Sequence, residues 1–99
     1  MHQHADEAIK MIPQVIEEAA RKGERSAIVY TISYDQVSVP TYQYKRIFRK
    51  GYTPRPFPDY VRKVYDYCKS SRLKPVIEYA QDSVDDVAYN RRYEIHVRW

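Results

Sequence analysis

Ser26-Ala27-Ile28-Val29-Tyr30-Thr31-Ile32-Ser33-Tyr34 is the strongest strand signal in the chain. It is rich in β-branched and aromatic residues and contains no glycine, proline or charge. Alternation predicts that Ile28, Tyr30, Ile32 and Tyr34 face one way and Ala27, Val29, Thr31 and Ser33 the other. The larger set is expected under helices. The smaller set is expected on an open sheet face.

Upstream, Asp6 to Lys22 reads as an amphipathic helix. Ala8, Ile9, Ile12, Val15, Ile16, Ala19 and Ala20 recur at three- and four-residue steps. Asp6 is the expected N-cap and Gly23 the expected C′ residue. Pro13 conflicts with a helix interior, because it lacks an N–H and crowds the preceding turn. The apolar stripe continues across it, so one kinked helix is expected. Met1-His2-Gln3-His4 is expected to be disordered and is left out of the fold.

Downstream lies the most unusual stretch. Gln36 to Pro58 spans 23 residues with no acid and five cations: Lys45, Arg46, Arg49, Lys50 and Arg55. Net charge is only +4, so the remainder of the chain is slightly negative. Tyr42, Tyr44, Phe48, Tyr52 and Phe57 are interleaved with the cations. Weak alternation over Gln36–Val39 and Thr41–Phe48 allows a hairpin or an extra edge strand, with Pro40 at the bend. A connection this long in a compact domain is expected to be functional or partly ordered.

Pro58 to Ser71 reads as a second helix, with Val61, Val64, Tyr65 and Cys68 on one face. Pro75 blocks its continuation. Val76 to Gln81 reads as a second strand and Asp82 to Asp86 as a polar turn. From about Ala88 to Trp99 runs a third strand, with Tyr93, Ile95, Val97 and Trp99 inward and Glu94, His96 and Arg98 outward.

The order α-β-loop-α-β-β predicts an α+β fold in one domain of 99 residues, a two-layer sandwich with a basic loop or hairpin inserted after the first strand. Strands one and two should run parallel, with a right-handed crossover, and strands two and three antiparallel. Strand three is preferred in the middle of the sheet. A strand contributed by the insertion, giving α-β-β-α-β-β, is the alternative.

Apolar content of 43% and charged content of 30% fit a globular chain. Eleven tyrosines suit a thin core whose hydroxyls stay wet. The single cysteine excludes an internal disulfide and fits a cytoplasmic, reducing compartment. No apolar run approaches a membrane span, and no signal layout opens the chain.

Enzymatic chemistry finds little support. Two glycines, Gly23 and Gly51, leave no phosphate-cradling loop. Cys68 falls on an apolar helix face near the C-terminal end, where the dipole disfavours a thiolate. His96 reads as a solvated sheet-face residue. Asp82, Asp85 and Asp86 lack the glycine and distal glutamate of a calcium loop. Neither a cofactor nor a metal site is expected, and no catalytic residue.

The expected function is a small binding or assembly module. Tyr42, Tyr44, Lys45, Arg46, Phe48, Arg49, Lys50, Tyr52 and Arg55 would dock a protein partner or another copy. Ala27, Val29, Val76 and Ala80, as an uncovered apolar patch, would support assembly. Single-stranded RNA or DNA is the alternative ligand, since cations neutralise phosphates and rings stack on unpaired bases.

The skeleton also resembles a class of small, mostly uncharacterised phage- and virus-encoded proteins. The resemblance rests on Ala20-Arg21-Lys22-Gly23, Ile28-Val29-Tyr30, Leu73-Lys74-Pro75-Val76 and Tyr93-Glu94-Ile95-His96-Val97-Arg98-Trp99. It implies the same fold and a structural or accessory role, and transfers no catalytic residue. Such proteins usually carry a glycine where the second helix ends; this chain has Arg72 and Leu73.

Overall fold

A computed structural model of the chain describes residues 3–37 and 51–99. Helix α1 (Gln3–Arg21) leads to strand β1 (Ser26–Ser33) and a short 3-10 turn (Tyr34–Gln36). Helix α2 (Asp59–Ser70), strand β2 (Val76–Val84) and strand β3 (Val87–Arg98) follow. The fold is α+β, with two helices and a three-stranded antiparallel sheet among the described residues.

The sheet order is β1-β3-β2, so the last strand lies in the middle as expected. Both outer strands run antiparallel to β3 and therefore parallel to each other. Tyr93, Ile95 and Val97 on β3 have no solvent exposure, because neighbours flank them on both sides. They join Ile32 and Ile77 from the outer strands, Ile12 from α1, and Val61, Val64 and Cys68 from α2 in one core.

Helix α1 begins three residues before its expected start. Asp6 therefore lies inside the first turn rather than at the N-cap, and the helix is continuous across Pro13. It packs against both β1 and α2. The two helices close alike. Gly23 has φ +83°, and Glu24 N–H reaches the Ala19 carbonyl at 3.0 Å. Arg72 has φ +63°, and Leu73 N–H reaches the Cys68 carbonyl at 3.0 Å. Both are left-handed caps that satisfy orphan carbonyls. In the second, an arginine adopts the conformation that glycine would take without strain.

Expectations about β1, about the β2–β3 turn and about Trp99 fail, the first because the β1 ladder is irregular. The β1 register shifts between Ile28 and Tyr30. Val29 is the extra residue, so alternation reverses across it. Ile28 therefore lies opposite His96 and is 47% exposed, rather than under the helices. Ala27 pairs with Val97 on the core side, and Val29 is buried. The expected apolar patch of Ala27, Val29, Val76 and Ala80 does not form. The second irregularity sets Asn90 and Arg91 against Gln81 alone. Finally, the expected turn at Asp82–Asp86 is mostly ladder, with Val84 directly opposite Val87 and only Asp85–Asp86 at the bend. Trp99 lies outside β3 and is 39% exposed, not inward.

Candidate docking site at the base of the basic segment

Tyr93 is the centre of an aromatic cluster. Tyr34 stacks on it with centroids 5.8 Å apart and planes 19° apart. Tyr52, Phe57 and Tyr79 meet it edge-on at 5.7, 5.0 and 5.9 Å. Edge-on and offset rings oppose the positive rim of one to the negative face of another. Burial, and then the neighbouring phenols, push the Tyr93 hydroxyl up to about 12.

The members come from distant parts of the chain. Tyr34 opens the 3-10 turn that ends β1, and Tyr52 and Phe57 precede α2. Tyr79 faces Tyr93 across the β2–β3 ladder. Tyr34 and Tyr52 therefore bring both flanks of the connection onto one buried ring. Val37 is buried on the first flank. On the second, Gly51 is buried against β2, and Tyr52 N–H donates to the Ile77 carbonyl at 2.8 Å. A Cβ on Gly51 would stand 2.6 Å from Val76 Cγ1 and 2.8 Å from the Ile77 oxygen.

Arg91 completes the cluster's exposed side. Its guanidinium carbon lies 4.1 Å from the Tyr34 ring centroid, and its Nε donates to the Tyr79 hydroxyl at 2.7 Å. A cation over a ring face is attracted by the ring quadrupole. The Asn90–Arg91 bulge aims it there. Asn90 takes φ +52°, a conformation asparagine tolerates, and its side chain donates to Asp82 at 2.9 Å.

Of the expected site residues, Tyr42, Tyr44, Lys45, Arg46, Phe48, Arg49 and Lys50 lie outside the described residues. Tyr52 is half-buried and anchors the segment. Arg55 is exposed, in a turn closed by Phe57 N–H on the Pro54 carbonyl. Phe57, one of the rings interleaved with the cations, is 2% exposed and belongs to the core. Tyr34, Tyr79 and Arg91 were not singled out from sequence. The one available signal was Asn90, a residue prone to left-handed backbone in the middle of a strand.

The opposite sheet face carries an ionic row. Glu94 accepts from Arg92 Nε at 2.9 Å and lies 3.0 Å from His96 Nε2. Glu78 is 3.3 Å from the same histidine nitrogen, and Asp82 is 3.6 Å from Arg92. Burial by itself would raise the Glu94 carboxyl. The hydrogen bonds from Arg92 and His96 outweigh it and hold that carboxyl below the ordinary range. Glu78 and Glu94 are direct cross-strand neighbours, and His96 sits between their charges. Cys68 is buried in the core, away from this face, and burial pushes its thiol up to about 11. The two sides of the sheet thus separate the one cysteine from this histidine. Among the described residues no group of three or more His, Cys, Asp or Glu side chains could hold a metal ion, and no helix is long and apolar enough to cross a membrane.

No protein-family model matches the chain, and no curated protein or solved structure proved similar to it.

Proposed function

We propose that this protein is a non-enzymatic docking module that presents its basic, aromatic segment to an acidic protein surface. The observation that carries this reading is the convergence of Tyr34 and Tyr52 on Tyr93. The two flanks of a segment rich in cations and rings meet the body at one buried ring, Tyr93. Anchoring both ends lowers the entropy lost when the segment engages a partner. Arg91 and Arg55 extend positive charge onto the exposed surface beside that base. A two-layer arrangement, with the 36–57 stretch as an insertion between β1 and α2, is the architecture consistent with this role.

Single-stranded nucleic acid is the competing ligand, favoured by the alternation of cations with aromatic rings. One experiment separates the two. Binding of a labelled poly-glutamate peptide, and of single-stranded RNA and DNA, is measured against salt for wild type and for the Arg46→Ala, Arg49→Ala, Lys50→Ala triple variant. Protein docking predicts peptide binding that the variant loses. A nucleic-acid ligand predicts a DNA affinity falling a few hundredfold between ~50 and ~200 mM salt, with a shallower slope in the variant. Indifference of every probe to the three substitutions would remove the segment as a contact surface.

A further inference from the structure

The sheet has two unlike edges. The outer edge of β2 is met at Ile77 by Tyr52, and β2 itself carries Glu78 and Asp82. The outer edge of β1 has no strand partner among the described residues. Its eight residues, Ser26–Ser33, include no charge and no proline. Exposed edges are ordinarily blunted by lysine, proline or short length, because their unpaired N–H and C=O groups template pairing with another chain. Among the described residues the bulge at Val29 is the one such device. It adds no charge.

Two separate pockets lie between α1 and β1. One, of about 720 Å³, is lined by Glu7, Ala8, Met11, Tyr30 and Thr31 among others. The other, of about 450 Å³, is lined by Val15, Glu18, Lys22, Ala27, Ile28 and His96 among others. Met11 and Ile28 are 49% and 47% exposed, large apolar side chains left at this border.

We propose that the β1 edge is the docking strand for a second copy of this chain. Two β1 strands pair antiparallel about a two-fold axis and merge the two sheets into one. The occupant is argued from charge. An uncharged strand meets no like charge when it faces its own copy. Arg25 stands just before the strand and Asp35 just after it; both are exposed. Neither has an ion-pair partner among the described residues. Antiparallel pairing brings the start of one strand to the end of the other, so Arg25 of each copy approaches Asp35 of its mate, twice per dimer. The neighbouring Lys22 and Glu24 offset one another. Met11 and Ile28 border the contact and lose exposure with it.

This surface is distinct from the basic segment, and the two separate experimentally. Sedimentation equilibrium across a wide concentration range is expected to show a wild-type dimer that persists in the Arg46→Ala, Arg49→Ala, Lys50→Ala variant. Thr31→Lys with Ser33→Lys, two exposed positions, is expected to give a folded monomer, with folding checked by circular dichroism. Arg25→Glu or Asp35→Arg alone is expected to weaken association about tenfold, and the double reversal to restore it. A monomeric wild type at every concentration overturns the proposal. So does a dimer indifferent to the edge lysines, or a double reversal that weakens association further.

Discussion

The α-carbon of Gly51 is held so close to Ile77 that a β-carbon would stand 2.8 Å from the Ile77 carbonyl oxygen. Gly51 also has φ +106°, a backbone conformation L side chains rarely adopt. Steric room and dihedral therefore both demand glycine. Gly51→Ala is expected to destabilise the protein by about 3 kcal/mol, read as a lower urea midpoint at unchanged slope. Because Gly51 precedes the Tyr52 bridge, the same variant should weaken partner binding. An unchanged midpoint would show that the segment's anchor is not built on this contact.

Arg72 offers the opposite change. Its left-handed φ of +63° strains a side chain that is exposed and replaceable. Arg72→Gly should stabilise the fold by about 0.5–1 kcal/mol, the strain relieved less the extra freedom glycine gives the unfolded chain. Thermal unfolding should rise by several degrees. Gly23→Ala, at the equivalent cap of α1, should lower it.

Glu94 predicts the acid behaviour of the sheet. Its carboxyl is held below the ordinary range in the folded state, so folding favours the ionised form. The stability it contributes is complete above the usual glutamate pKa of about 4.3 and is lost as pH falls through the lower folded value. Glu94→Gln should cost on the order of 1 kcal/mol at neutral pH and flatten the acid limb of a stability–pH curve. A parallel acid limb in wild type and variant would contradict the assignment.

Tyr93 governs the alkaline side. Its phenol is raised to about 12, against about 10 when unfolded. Stability is full below pH ~10 and declines above it, as the unfolded chain ionises first. Absorbance titration should resolve a late phenol that Tyr93→Phe removes while the ring contacts remain. Tyr93→Ala, which deletes the ring itself, should cost about 3–5 kcal/mol.

Cys68 should be inert in the native state. With no exposure and a thiol raised to about 11, it should react with a disulfide reagent at the rate of unfolding. Reaction as fast as a free thiol would place Cys68 at the surface.

Most elements were legible because their signals are local. Val61, Val64, Tyr65 and Cys68 share a helix face by spacing alone, and all four are buried. Tyr93, Ile95 and Val97 alternate inward as period two requires. The middle place of β3 followed from a well-patterned strand needing neighbours on both faces of its ladder. The reading failed where one residue changed the period. Val29 adds a single step to β1, and that step exchanges the faces of Ala27 and Ile28. Asn90 does the same in β3 and turns Arg91 onto Tyr34.

Composition and periodicity thus specified the helices, the strands, their directions and the basic character of the 36–57 stretch, since each depends on neighbours a few residues apart. The aromatic base depended on contacts between Tyr34, Tyr52, Tyr79 and Tyr93, which lie far apart in the chain. Only strand register brings those rings together, and register here turns on two bulges whose hydrogen bonds are made across strands. The same long-range pairing set which edge of the sheet is met by Tyr52 and which presents an uncharged strand.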